Sequence, residues 1–414
     1  MDDSSTEKIA SEEFQQFKED VSDLIQFQQF MNENWANETD IENMINESLL
    51  ISEIKQVHLQ DKLLFTELLH CIRRFLDTHP DSFSFIEKLL TPILNEIRTT
   101  FLSNELYSIF FWNRNILLFF YEHECINIES LEQFSDFFKF YYFYPEFFEK
   151  DLKFFEKTSK LYENLMHQFS TPTSSYQYDI DKNKIEAFKK RRRINHSDEK
   201  IAQIIRDDDF ESFTKYISST NLDFNAKLKK SAFESNALLF FEPTLFEYSC
   251  FFQSINIFRF IFLKNGEITK DLSKYAIAGG NYEIIHLLET KNAVFDEECL
   301  ITAISYHHND IAEYLIDNNQ SLNQISIEKI LKTCIQSYNF TFLINFIERN
   351  SLIIENQIYN EFILNEACQN SFFHLINFLL TFKNININKI NEKSGILLYI
   401  NLLCSASLCC YWWK

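Results

Sequence analysis

Glycine and proline are nearly missing from this chain. Its 414 residues hold 4 glycines and 5 prolines, where average usage would give roughly 29 and 20. All four glycines, Gly266, Gly279, Gly280 and Gly395, lie beyond residue 265. The stretch before them therefore carries no phosphate-cradling loop and no dinucleotide fingerprint of the usual kind. So little glycine also argues against hairpin-rich β folds, whose tight turns draw on it. No CxxC pair occurs. The nine cysteines are odd in number and scattered, at 71, 125, 250, 299, 334, 368, 404, 409 and 410. That pattern argues against a disulfide framework or a structural zinc site and fits a reducing compartment. The N-terminus, MDDSSTEKIA, lacks the basic segment and apolar run of a secretory signal. Positive charge is also short: 39 Lys and Arg against 60 Asp and Glu give a formal charge of −21. Residues 1–50 hold 13 acidic side chains and 2 lysines. Such a surface repels phosphate backbones, so nucleic-acid binding is disfavoured, and the acidic N-terminus reads as a solvated face.

What is abundant is phenylalanine, with 45 copies, in a chain that is 46% apolar. A chain of this length predicts two domains, and both read as helical, so the expected class is all-α. Residues 8–170 read as successive amphipathic helices; Leu64, Leu68 and Ile72 form one stripe at helical spacing, widened by Leu63, Phe65 and Leu69. His79-Pro80-Asp81-Ser82 marks a turn and Pro92 a helix start. The run FSDFFKFYYFYPEFFEKDLKFF, residues 134–155, is divided by Pro145 and reads as a pair of core helices with some overflow onto a surface.

Residues 170–183, STPTSSYQYDIDKN, are polar and rich in turn formers, which marks an interdomain linker. Lys189-Lys190-Arg191-Arg192-Arg193 follows. Two readings stay open for it: a nuclear import signal or phosphate patch, or a charged helix end that docks within this acidic chain.

The second half is periodic. AIAGGNYEIIHLLE (276–289) aligns with AISYHHNDIAEYLID (303–317) at an offset of 27, and SCFFQSINIFRFIF (249–262) precedes them at the same offset. CIQSYNFTFLINFIE (334–348) and ACQNSFFHLINFLL (367–380) continue the pattern. A small-residue column runs through Ser249, Ala276, Ala303, Cys334 and Ala367. Each unit predicts a short helix with a small face, a turn and a second helix with paired aliphatics. Neither helix buries its apolar face alone, so the units must stack. Gly279-Gly280-Asn281 supplies one turn with residues that enter left-handed backbone easily.

These residues resemble ankyrin repeats. DLSKYAIAGGNYEII (271–285) follows the repeat consensus with its first positions changed, and Pro243-Thr244-Leu245-Phe246-Glu247-Tyr248 keeps part of the opening motif. PTLFEYSCFFQSINIFRFI, with the preceding IAQIIRDDDFESFTKYI and SAFESN, looks like the repeat and lead-in of a large ankyrin family of trichomonad protists. The resemblance covers residues 195–390, with the glycine turn kept only in the repeat at 271–292. Gln253-Ser254, His307-His308, Tyr338-Asn339 and Phe372 stand in its place elsewhere, which leaves the geometry of those turns open.

The expected plan is a helical domain over 1–170, a linker over 171–194, five or six degenerate repeats over 195–392, and a truncated repeat or apolar tail over 393–414. That tail, ILLYINLLCSASLCCYWW before Lys414, is uncharged. It reads as a degenerate repeat, as a tail anchor near the lower length limit for a span, or as an altered reading frame. No catalytic motif emerges. Glu122-His123-Glu124-Cys125 reads as an exposed helix end, and His307-His308 lacks a ligand set. No metal or other cofactor is implied.

The ankyrin resemblance implies a concave face built from first-helix positions: Tyr248, Phe251, Phe252, Tyr275, Tyr306, Gln336, Ser337, Gln369 and Asn370. Aromatic and amide side chains there suit protein recognition. Packing of Phe251 or Phe252 against the lead-in is the competing expectation. The function expected is a non-catalytic scaffold or adaptor that binds a protein partner in the cytoplasm, with nuclear entry through Lys189–Arg193 as a variant. The alternatives are an adaptor held at a membrane by 395–413, and an enzyme in residues 1–170, which would need a concave pocket with perturbed carboxylates or His123.

Overall fold

A computed structural model describes residues 3–35, 58–133, 136–162, 182–319, 322, 325–350 and 357–382. Every regular element among them is a helix, as expected for the all-α class. The extended pairing described is an isolated bridge between Lys227 and Thr244. The residues group into two compact units, Met1–Arg74 with Asp296–Lys414, and Phe75–Phe295. This grouping does not follow the composition break at residue 170. The N-terminal helices pack with the last repeats, and the middle helices pack with the first ones.

In the Phe75–Phe295 unit, short helices run from Phe83–Leu90 to Leu152–Leu161. Asn113, Asp136 and Asp151 each start one by accepting a backbone N–H, at 3.2, 2.9 and 2.8 Å. Such side chains satisfy donors that the helix itself leaves unpaired. The aromatic run fills the core between these helices. Phe137, Phe140, Phe143, Phe147 and Phe155 are buried, and Phe140 stacks on Phe147 at 5.8 Å and on Phe155 at 5.9 Å. Pro145 sits in the first turn of Tyr144–Lys150, directly after Phe137–Tyr142 has ended, where its missing N–H costs nothing.

The basic run closes the helix Lys182–Arg192, and it is docked. Arg192 is 1% exposed. Its guanidinium grips Glu146 with bonds of 2.7 and 2.6 Å and donates to the Tyr142 carbonyl at 2.8 Å. Lys189 pairs with Glu149 at 2.9 Å, Arg191 with Asp198 at 2.5 Å and Arg193 with Glu122 at 3.5 Å. A receptor reading this run as an import signal would have to extract Arg192 from a buried ion pair. Of the expected linker, Lys182–Arg192 is a helix whose Ile185, Phe188 and Arg192 are buried, and 171–181 lie outside the described residues.

Six helix hairpins follow, three in each unit. In the Phe75–Phe295 unit they are Lys200–Arg206 with Phe210–Thr220, Leu245–Phe251 with Ile255–Leu263, and Leu272–Gly279 with Tyr282–Thr290. In the other unit they are Glu297–Ser305 with Asn309–Asn318, Ile327–Ser337 with Phe340–Arg349, and Gln357–Gln369 with Phe373–Leu380. Within each unit, consecutive first helices pack on one another. The small-residue column explains how. Ser249, Ala276, Ala303, Cys334 and Ala367 are all buried, and a Cβ on Gly279 would stand 2.9 Å from the Phe251 carbonyl oxygen of the neighbouring first helix.

Each first helix ends on a left-handed residue: Asp208, Gln253, Gly280, His307, Tyr338 and Ser371, with φ of 45°, 55°, 78°, 60°, 55° and 57°. The last five lie four residues beyond the small-residue column. The next N–H then returns to the column carbonyl: Ser254 to Ser249 at 3.0 Å, His308 to Ala303 at 2.9 Å, Asn339 to Cys334 at 2.9 Å and Phe372 to Ala367 at 3.0 Å. This is the helix-terminating motif that glycine usually serves. The turn geometry left open by the missing glycines is therefore one geometry, reached without glycine at four of these five turns, and at Ser371 rather than Phe372 in the last. An L-residue pays roughly 1–2 kcal/mol for it, which the two terminal hydrogen bonds and the packing of the hairpin offset.

In the other unit, the helices Asp3–Asp20 and Ser22–Asn34 and most of Lys62–Thr78 pack with the last three hairpins. Phe14 and Phe17 meet Phe378 at 5.8 and 5.0 Å. Lys18 bonds Glu348 at 2.8 Å, and the Gln28 amide donates to the Tyr338 carbonyl at 2.7 Å. The last hairpin is apolar, with Phe373, Leu375, Ile376, Phe378 and Leu379 buried. The N-terminal helix covers it, which is the service a polar capping repeat performs in a stack.

Candidate functional site

The first-helix positions expected to form a contact face are mostly filled from inside. Tyr248 is buried, and its hydroxyl accepts from Arg206 at 2.7 Å and donates to Glu234 at 3.3 Å. Phe251 is buried; Phe252 is half-buried between Tyr248 at 4.6 Å and the His196 ring at 5.2 Å. Tyr275 is buried and donates to the Leu238 carbonyl at 2.9 Å. Tyr306 is buried against His308, and Ser337 is buried with its hydroxyl on the Thr333 carbonyl at 2.7 Å. Gln336 and Asn370 are half-buried, and Gln369 is exposed. The expectation of an open aromatic face is thus corrected at Tyr248, Phe251, Tyr275, Tyr306 and Ser337. Arg206 and Glu234 engage the Tyr248 phenol, the Leu238 carbonyl engages that of Tyr275, and the Ser337 hydroxyl bonds within its own helix. Phe252 packs on Tyr248 and on His196, which precedes the lead-in in sequence.

The lead-in residues form a buried polar network that the sequence did not single out. His196 lies between two carboxylates, with Nδ1 3.1 Å from Glu234 and Nε2 2.8 Å from Asp81. Glu234 also accepts from the Ser197 N–H at 2.8 Å, and Arg114 donates to the Glu234 carbonyl. Arg206 donates to the Ser197 carbonyl at 3.0 Å. Burial opposes a charge on His196, but hydrogen bonds and attraction from Asp81 and Glu234 outweigh it and lift its pKa to about 9. The ring is an imidazolium at neutral pH, so it clamps two segments and is no proton acceptor. A retrospective signal existed in SAFESN: Glu234 and Asn236 are polar residues inside an apolar lead-in, and Asn236 donates to the Asp77 carbonyl at 2.8 Å.

Beside this network lies an open groove of about 420 Å³ between the helices Phe83–Leu90 and Arg114–Glu122. Phe83, Leu118, Phe119 and Ile194 give it apolar walls, and Ser84, Glu87 and Glu122 give it polar ones. Asp81 and His196 close one end, already paired. Burial, then repulsion from Glu122, raises the pKa of Glu87. Of the Glu122-His123-Glu124-Cys125 cluster, only Glu122 lines the groove. His123 Nδ1 faces the Phe119 carbonyl of its own helix at 2.9 Å, Cys125 Sγ faces the His123 carbonyl at 3.6 Å, and burial pushes the Cys125 thiol up. His307 is likewise spent, with Nε2 2.9 Å from the Ser337 carbonyl.

Among the described residues no group of three His, Cys, Asp or Glu is placed to hold a metal ion. No helix among them is long and apolar enough to cross a membrane, and 395–413 lies outside them. A family described as "Domain of unknown function (DUF3447)" matches residues 264–346, a domain known to occur in ankyrin-repeat proteins. No curated protein and no solved structure matches the chain.

Proposed function

We propose that the chain is an ankyrin-type repeat scaffold that binds a protein partner without catalysis. The observation that carries this reading is the recurring hairpin: a buried small residue, a left-handed residue four positions on, and first helices packed on one another within each unit. The domain matched at 264–346 supports it. A stack of this kind offers its partner shape and a few side chains rather than reaction chemistry. Of the expected contact positions, Phe252, Gln336, Gln369 and Asn370 keep some exposure. A charge of −21 favours protein over nucleic acid as that partner. Buried thiols at Cys71, Cys125, Cys250, Cys299, Cys334 and Cys368 suit a reducing, cytoplasmic setting.

An enzyme in the first 170 residues would need a base or nucleophile in the groove beside Glu87. His196 is held protonated, and among the described residues no base is hydrogen-bonded to Ser84. The test is quantitative capture from native extract by the full chain, beside a variant with Gln336→Arg and Gln369→Arg. A protein retained by the parent and lost with unchanged melting in the variant supports the reading. Retention of nothing beyond what an unrelated protein of equal charge retains would sink it.

A further inference from the structure

We propose, resting on the protein-interaction reading, that the groove between the helices Phe83–Leu90 and Arg114–Glu122 is a docking site for an arginine side chain on a basic segment of the partner protein. Glu87 and Glu122 line the groove from its two helices. Glu87 is half-buried, and among the described residues no hydrogen bond or ion pair engages its carboxylate. A carboxylate partly stripped of water, with cations nearby but none bonded to it, has room for a closer one. Burial and the neighbouring Glu122 oppose its charge, and Arg193 and His123 attract it less strongly.

Glu122 already holds a guanidinium. Arg193 of the chain itself reaches it at 3.5 Å, with a side chain 71% exposed. A pair so open contributes little and exchanges readily. Lys189, Arg191 and Arg192 make shorter pairs elsewhere, so Arg193 is the loosest of the paired cations in the run, and it stands at the groove mouth. It shows in place the chemistry that the groove accepts. The walls suit the rest of an arginine: half-buried Phe83 offers an aromatic ring beside a guanidinium, and Leu118 and Ile194 offer apolar surface to its stem. Arginine fits better than lysine, because a flat fork with five donors can serve carboxylates on two walls at once. The surrounding charge of −21 steers a basic segment toward the site.

The test uses the full chain and a labelled eight-residue peptide of alternating Arg and Gly, read by fluorescence anisotropy at physiological salt. Its Lys–Gly counterpart serves as comparison. Glu87→Gln is expected to weaken Arg-peptide binding by about tenfold. Arg193→Ala is expected to strengthen it by about threefold, because the internal competitor is gone. Glu211→Gln, at an exposed first-turn position on a distant helix, should leave it unchanged. Equal weakening by Glu87→Gln and Glu211→Gln would mean that net charge alone attracts the peptide, and the proposal fails. Equal binding of the Lys peptide overturns the arginine assignment. Should Glu87→Gln not fold, Arg193→Ala decides: no gain means Arg193 does not compete for the groove. A partner captured equally by wild-type and Glu87→Gln chains would leave the scaffold reading standing and remove the groove from it.

Discussion

Glu67 and His374, 307 positions apart in sequence, meet in a buried pair: Glu67 Oε2 lies 2.9 Å from His374 Nδ1 and also accepts the His374 backbone N–H at 3.3 Å. The pair ties the helix Lys62–Thr78 to the last hairpin. Glu67 is fully buried, and its other oxygen, Oε1, has no hydrogen-bond partner among the described residues. Removing one member of such a pair leaves an uncompensated buried charge, at about 3–5 kcal/mol. Glu67→Ala is therefore expected to lower the urea-unfolding free energy by that amount. Glu67→Leu with His374→Leu should cost less than either change alone. A double variant as unstable as the sum of the singles would show that the two residues do not interact.

The same unit is built to lose stability in acid. Burial, helped by the charge of His374, lowers the His58 pKa to about 4; burial, helped by Arg73 and Arg74, lowers that of His70 to about 3; burial lowers that of His307 to about 4 against its bond to Ser337. The unfolded chain binds protons at these rings near pH 6.5, where the folded chain does not. Stability is full above that pH and falls as pH drops from about 6.5 toward 4. His374 has the opposite sign. Burial opposes its charge, but Glu67 outweighs burial and raises its pKa, so its contribution is full below about 6.5 and fades as pH rises through the raised value. Melting followed by circular dichroism should fall by several degrees between pH 7 and 5. His307→Asn, which keeps a side chain tolerant of left-handed backbone, should flatten that limb. A melting temperature independent of pH over this range would refute the assignment.

Arg192 and Glu146 give a sharper contrast. Each is buried, and the pair is bidentate. Arg192→Ala and Glu146→Ala are each expected to cost about 3–5 kcal/mol. Arg192→Lys should recover only part of this, because an ammonium cannot make the two-pronged contact. Chemical denaturation of the three variants checks the ranking. Full recovery with lysine would mean that only charge matters there.

Two substitutions test the hairpin geometry in opposite directions. Gly279→Ala would press a Cβ against the backbone of Cys250 and Phe251, and overpacking of this kind costs about 1–3 kcal/mol. Gln253→Gly would relieve a left-handed residue, exposed at φ 55°, and should stabilise by up to about 1 kcal/mol. Thermal melts should move apart, down for the first and up for the second. A rise with Gly279→Ala would show that the first helices do not approach as closely as described.

The amino-acid sequence by itself determined the helical class and the hairpin period. Scarce glycine, helical spacing of aliphatics and the column from Ser249 to Ala367 are local facts, and a turn needs only its own few residues. That is why Gln253, His307, Tyr338 and Ser371 fall in one register without the glycine that marks Gly280. Tertiary structure alone decided what covers what. Tyr248 and Tyr275 look like contact anchors in sequence, but whether a phenol faces solvent depends on Arg206, Glu234 and Leu238 arriving from elsewhere in the chain. The basic run looks like a signal until Glu146 and Glu149 are brought beside it. The packing of the first helices with the last hairpin was equally invisible, because pairing of Phe14 with Phe378, or Glu67 with His374, leaves no periodic trace. Such contacts rest on burial between distant segments, and sequence spacing records only neighbours.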